Sequence, residues 1–255
     1  MTTADRSPQP TQPACSSTAP PPDRRRAPGP AGQAAGRCIS RLQGRYHQDN
    51  PAAVADLARL RRGAGKTAHQ LQDHWGLGGL EDLAEVLAAT GADVRREHAE
   101  EAVYLAVTLW ALHQQSLRDS NMHHTKGSLG GAVRTLMRKK QGENPSEDEL
   151  NEPLRTRLVR VGTAESIESV AVRLREIVLL LRGEQVPLDY ARLADQLYRW
   201  QSRTERAAVR REWGREFHLA AATGKAGRES GGAAGDSIDH TLSADAEDGG
   251  YGSGE

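Results

Sequence analysis

Aromatic side chains are scarce in this chain. One Phe, five Tyr and four Trp are 4% of its 255 residues, so a core must be assembled from Leu, Val, Ile and Ala. Cysteine is scarcer still. Cys15 and Cys38 have neither a C-x-x-C spacing nor a companion histidine at ligand spacing, which argues against a disulfide framework and against a zinc site. No apolar run approaches the ~20 residues that span a bilayer, since the longest, Ala102 to Leu112, is interrupted by Thr108. The N-terminal residues lack the apolar stretch of a signal peptide, and the expected location is the cytoplasm. Net charge is absent too, at a formal +0. That zero conceals a segregation of charge along the chain.

Residues 1–37 carry five basic side chains against two acids, among Pro, Ala, Ser and Thr, while residues 223–255 carry seven acids against two bases in a run of Gly, Ser and Ala. Neither segment has the apolar content to offset the entropy of ordering, so both read as disordered, dispensable tails. The body between them, 38–222, holds 27 basic and 25 acidic residues. Any electrostatic function must therefore rest on local clustering.

Within that body the periodicity is helical throughout. Pro51 to Arg62 places Val54, Leu57, Ala58 and Arg61 at helical spacing, and Gly63 and Gly65 stop it. Thr67 to Gly79 is a poorly periodic connection with His69, His74 and Trp75, followed by a short helix over Glu81 to Ala89 that Gly91 ends. Val94 to Leu117 reads as a long helix, apolar nearly all round at its centre, hence packed on several sides. A polar loop leads through Lys126 to a helix over Ser128 to Lys140, whose two glycines imply close packing or weak helicity.

Ser146 to Glu149 has the Ser-x-x-Glu form of a capping box, with a helix expected to about Arg160 and a kink or a start near Pro153. From Thr163 to Arg182 the clearest amphipathic pattern runs through Ile167, Val170, Leu174, Ile177, Val178 and Leu181. Asp189 caps the next helix, and Ser202 to Glu205 forms a second capping box before a last helix to about His218, buried through Val209, Trp213 and Phe217. Sustained period-two alternation is absent. The expected fold is all-α, with helical bundles over 38–120 and 121–222.

Motifs for catalysis are weak. Gly63-Ala64-Gly65-Lys66-Thr67 resembles the end of a phosphate-binding loop, but Leu60 stands where the pattern requires glycine and a helix precedes it rather than a strand. His98 clusters with Glu97, Glu100 and Glu101 without a second histidine four residues away, and His123 and His124 are neighbours in a polar loop. The chain is expected to be no enzyme and to hold no cofactor or metal.

The basic clusters say more. Six cations against one acid, Asp119, lie between Arg118 and Lys140 (Arg118, Lys126, Arg134, Arg138, Lys139 and Lys140), a local positive surface. On the last helix, 100° per residue puts Arg203, Arg210, Arg211 and Arg215 on one flank of the apolar face and Glu205, Glu212 and Glu216 on the other. Arg211 and Arg215 are like charges at i and i+4, a spacing that costs a few tenths of a kcal/mol in an isolated helix. A polyanion against the arginine flank would compensate it, and so would acids elsewhere in the fold.

Several separated segments together resemble the CasB family, the small subunit of the type I-E CRISPR Cascade surveillance complex. They are Leu57-Ala58-Arg59-Leu60-Arg61-Arg62, Gly127-Ser128-Leu129-Gly130, Val186-Pro187-Leu188-Asp189-Tyr190, Trp200, and the ending from Trp213 to Phe217. The resemblance covers most of Pro51 to Leu219 and excludes both tails. It implies an all-α protein of two bundles without an active site, present as two copies beside the crRNA-bearing backbone and large subunits, where it stabilises opened target DNA. The positions it implies for nucleic-acid contact are Arg61, Arg62, Lys126, Arg155, Arg175 and Arg203, with Arg173 beside Arg175. Glu152 and Pro153 depart from the family's paired-arginine entry near Arg155. Two other readings remain open at this point: a helical adaptor for acidic protein partners, and a free-standing nucleic-acid-binding regulator.

Overall fold

The computed structural model describes residues 27–68, 78–141 and 152–231, with side chains to residue 220. Among the described residues there are nine α-helices and no strand: α1 Pro30–His47, α2 Pro51–Leu60, α3 Leu80–Thr90, α4 Arg96–Gln114, α5 Leu129–Gln141, α6 Glu152–Gly162, α7 Ile167–Gly183, α8 Tyr190–Trp200 and α9 Arg203–Gly231. A 3-10 turn, Arg61–Gly63, extends α2. The all-α expectation is borne out.

Helix α1 corrects the reading of residues 1–37 as a tail, because its first eight residues were placed there. Pro30 suits the first turn, where its missing N–H would have no partner anyway. Gly29, at the N-cap, has no side chain to satisfy the orphan donors. Asp195 of α8 does so from across the fold, accepting from Gly29 N at 2.6 Å and Gly32 N at 2.7 Å. Ala31, Ala34, Ala35, Cys38, Ile39, Leu42 and Tyr46 then form a buried face, rich in alanine so that the helix packs close to α4 and α8. Burial pushes the Cys38 thiol up to about 12, with the neighbouring Asp82 carboxylate adding to the shift.

Helix α4 is the central rod. Every residue from Glu101 to Gln114 is buried, and α1, α2, α3, α7 and α8 all pack on it. It ends at Gln114, short of the expected Leu117, because the Gln114 amide takes over the role of the next turn: Nε2 donates to the Leu117 and Ser120 carbonyls and Oε1 accepts from Met122 N. Desolvation lowers His113 to about 3, against an ordinary 6.5. Its Nδ1 lies 2.8 Å from the Tyr190 hydroxyl.

The other helix starts resolve in turn; the caps Asn50 and Ser166 were not anticipated from sequence, whereas Asp189 was. Asn50 Oδ1 accepts from Ala52 N and Ala53 N at the start of α2, and Asp189 accepts from Arg192 N at 2.9 Å at the start of α8. Helix α7 begins at Ile167 rather than Thr163, capped by Ser166. Pro153 sits in the first turn of α6, so it marks a start and not a kink. The Ser146 to Glu149 box and the connection through His69, His74 and Trp75 lie outside the described residues. Ser202 does not close the expected box; its hydroxyl pairs with that of Thr204.

The glycines of α5 give the close packing expected of them. A β-carbon on Gly130 would lie 2.3 Å from the Trp213 carbonyl oxygen, so α5 rests directly on the backbone of α9. Helix α9 continues in its backbone to Gly231, past the expected end at His218 and into the segment assigned to an acidic tail. The buried apolar residues form one continuous cluster from Ala31 to Phe217. Helices α7 and α8, assigned by sequence to a second bundle, pack on α4, and α8 also packs on α1.

Candidate nucleic-acid interface

Helix α9 turns Glu212 and Glu216 toward the interior of the fold, while Glu205 stays exposed. Glu212 takes Arg199 at 2.6 Å, Arg192 at 3.2 Å and the Gln196 amide at 2.8 Å, all from α8. Glu216 takes Arg192 at 2.7 Å, Gln196 at 2.9 Å and the backbone N–H of Gly130 at 3.2 Å. Burial pushes both carboxyls up. For Glu212 the hydrogen bonds from Arg199 and Gln196 prevail and hold it below its usual range, whereas Glu216, more deeply buried, remains raised despite Arg192. These two acids are consumed between α8 and α9.

The arginines of α9 from Arg203 to Arg215 have no such partners among the described residues. Arg203, Arg206, Arg210, Arg211 and Arg215 make no ion pair with any described residue. Arg206 stacks over the Trp200 ring at 4.0 Å and donates to the Trp200 and Glu165 carbonyls; Arg210 donates to the Ala164 carbonyl. Carbonyls satisfy N–H groups without cancelling charge. Partial burial lowers the Arg206 pKa, and the nearby charges of Arg210 and Arg203 lower it further. Arg203, Arg210, Arg211 and Arg215 are exposed. At 1.5 Å rise per residue the stripe from Arg203 to Arg215 is ~18 Å long, about five phosphate spacings of a stacked strand at 3.4 Å each.

Helix α7 meets the chain just after the 3-10 turn. Gly65, at φ +84°, lies against the side chain of Arg175, with only 2.6 Å between an added β-carbon and Arg175 Cδ. Gly65 precedes Lys66 and follows Arg61 and Arg62 by a few residues, and all three of these cations are exposed. The glycines of the Gly63 to Thr67 run thus serve packing, Gly63 against the Tyr104 hydroxyl and Gly65 against Arg175. Lys126 is exposed in the loop before α5, where its N–H donates to His124 Nδ1. Arg155 is exposed but paired with Glu152 at 3.3 Å, so the sequence departure at Glu152 partly cancels this cation.

The structure brings Arg203, Arg206 and Arg210 together and sets Arg175 against Gly65, a few residues along the chain from Arg61 and Arg62, while Lys126 and Arg155 stand on other elements. Arg206 was missed by sequence reasoning, since only the corner between α8 and α9 places it over Trp200. In the cluster from Arg118 to Lys140 two cations are paired with acids and one is buried, while Lys126 and Lys139 are exposed. Arg118 pairs with Asp49, Arg134 is buried over the Phe217 ring, Arg138 bonds the Ala220 carbonyl, and Lys139 and Lys140 engage Glu184.

Among the described residues no group of three His, Cys, Asp or Glu is placed to hold a metal. Glu101, beside His98 in sequence, is buried and accepts from Ala68 N, and His123 Nδ1 accepts from Tyr190 N. Among the described residues no helix is long and apolar enough to cross a membrane.

Fold and site together define an all-α protein whose last helix gives Glu212 and Glu216 to α8 and turns arginine outward. The chain belongs to the CRISPR-associated Cse2 family, whose model matches residues 56–218. It is similar to the crystal structure of CasB from Thermobifida fusca, at 42% identity and a TM-score of 0.62 over 75% of this chain and 99% of that one. It is also similar to a chain from a CRISPR RNA-guided surveillance complex, at 26% identity and a TM-score of 0.54 over 78% of this chain and 99% of that one. No curated protein sequence matches it.

Proposed function

We propose that this chain is a non-catalytic small subunit of a type I-E Cascade antiviral complex in the cytoplasm, where it holds nucleic-acid backbone to stabilise bound target DNA and the R-loop. Its partners are the backbone and large subunits, crRNA, target DNA and a second copy of itself. The observation that carries the reading is the α9 stripe, five arginines whose helix-mates Glu212 and Glu216 are held by α8. Family membership and the similarity to a chain of a surveillance complex support the setting.

The physical role follows from the energetics of guided recognition. Exchange of a DNA duplex for an RNA–DNA heteroduplex is nearly balanced, so contacts to the backbone tip it. Arginines on a helix face, without a base-reading element, suit phosphate, which carries no sequence information. Arg61 and Arg175 form a second contact group on the same logic. The adaptor reading loses ground because a protein partner would have to supply carboxylates over the whole ~18 Å stripe.

The test is alanine substitution of Arg61, Arg175, Arg203, Arg211 and Arg215, each in the reconstituted complex with its guide. Each should weaken R-loop formation about equally on unrelated targets, leaving seed and PAM preferences unchanged. The slope of log affinity against log salt should fall by about 0.7–0.9 per lost contact. Expulsion of the subunit from an otherwise intact complex would instead make these residues interface residues and favour the adaptor.

A further inference from the structure

The helix that carries the arginine stripe leads, through Gly231, directly into residues 232–255. That segment contains Asp236, Asp239, Asp245, Glu247, Asp248 and Glu255 and not one Lys or Arg. Within the segment no Lys or Arg offsets these acids, the nearest in sequence being Arg228 and Lys225 just before it. Arg211 and Arg215, meanwhile, face solvent at like-charge spacing and no described carboxylate meets them. Two complementary charge sets are thus joined by the backbone of α9.

The reach is sufficient. Gly231 lies ~24 Å along the axis from Arg215 at 1.5 Å per residue, while residues 232–248 extend to ~55 Å at about 3.3 Å per residue. A short tether also sets an effective concentration of order 1 mM. At that concentration an interaction too weak to matter between separate molecules occupies most of the chain.

We infer that the acidic segment 232–255 folds back along α9 and competes with nucleic acid for the arginine stripe. The inference rests on the proposed polyanion-binding role and assigns it a regulator. The segment is a tethered substitute for phosphate: it lowers affinity for stray single strands while the subunit is free, and it yields to a backbone held in place by the rest of an assembly. Because salt weakens the tail contact as well as the nucleic-acid contact, the intact chain shows a shallower salt dependence than a chain lacking the competitor.

The experiment compares two full-length chains, the native one and Asp236→Asn, Asp239→Asn, Asp245→Asn, Glu247→Gln, Asp248→Asn, for binding a 20-nucleotide oligothymidine by fluorescence anisotropy. The neutralised chain should bind about fivefold tighter at low salt, as expected for a competitor at an effective concentration of order 1 mM, with the gap closing as salt rises. Neutralising the exposed Glu85, Asp93 and Glu97 instead should give no comparable gain, which separates docking from net charge. Arg211→Ala with Arg215→Ala should remove most of the gain.

Equal affinity of the native and neutralised chains, or an equal gain from the remote control, overturns the inference. If neither chain binds the oligonucleotide, the polyanion reading fails on its own. The tail contact is then read from a labelled peptide of residues 232–255, which should bind the neutralised chain and lose that binding with Arg211→Ala and Arg215→Ala. Failure of the peptide to bind overturns the inference independently.

Discussion

A methyl group on Gly130 would meet two backbone atoms of α9, the Trp213 oxygen at 2.3 Å and the Phe217 nitrogen at 2.5 Å. Neither can swing aside as a side chain would. Alanine gains about 1 kcal/mol over glycine in helix propensity, but overpacking against fixed backbone costs about 1–3 kcal/mol. Gly130→Ala should therefore destabilise the chain, while Gly214→Ala, whose β-carbon meets nothing within 4 Å, should stabilise it by about 0.5–1 kcal/mol. Urea titrations of the two variants read the opposite signs directly.

His113 makes a second prediction at the same scale. Buried against Tyr190 and near Arg182, it stays neutral in the folded state down to about 3, whereas the unfolded chain takes up the proton near 6.5. Between those values the unfolded state binds more protons, so stability is full above pH 6.5 and falls as the solution is acidified. The loss at pH 5 should be about 2 kcal/mol. His113→Gln should reduce the dependence of unfolding free energy on pH between 5 and 7, leaving the contribution of His123, which desolvation also lowers.

At the scale of elements, α1 shows where sequence reading stops. Its buried face is largely alanine, its upstream neighbours are prolines, and its cap comes from Asp195, more than 160 residues away, so no local pattern announces it. The helices with Leu, Ile and Val at 3.6-residue spacing, α7 above all, were legible because their buried faces are strongly apolar. The stripe on α9 was half legible. Angular placement separated arginines from glutamates, but only tertiary structure reveals that α8 takes Glu212 and Glu216. Within the cluster from Arg118 to Lys140, sequence could not show which cations are paired, because Asp49 and Glu184, the partners of Arg118 and Lys140, are distant in sequence. A chain that begins at Pro28 keeps the Gly29 and Gly32 donors, while one that begins at Cys38 loses them and half of α1. The shorter chain should unfold at a temperature at least 5 °C lower in a calorimetric scan, given about 1–2 kcal/mol for the cap alone.

Over the whole molecule, the decisive fact is that α4 serves both halves. Helices α1, α2 and α3 pack on it from the N-terminal side of the sequence and α7 and α8 from the C-terminal side, within one apolar cluster. Neither half can expose its core without stripping the other. Fluorescence from Trp110 and from Trp200 and Trp213, isolated in variants that retain one reporter at a time, should follow urea transitions that coincide with each other and with the loss of helical circular dichroism. Separate midpoints would show two independently stable units. Such coupling also makes the orientation of the α9 stripe relative to Arg61 and Arg175 a fixed property of the body.

Cys38 has a consequence for anyone wishing to watch that body move. Its thiol is buried in the α1 face and holds its proton to about pH 12, and only a thiolate attacks an alkylating or disulfide reagent at an appreciable rate. Within the described residues no other cysteine competes for reagent. Alkylation at this position therefore proceeds only during the moments when α1 lifts from α4 and α8. With Cys15→Ser removing the second thiol, the chain contains its own clock for N-terminal breathing, and binding of any partner that clamps α1 will slow it.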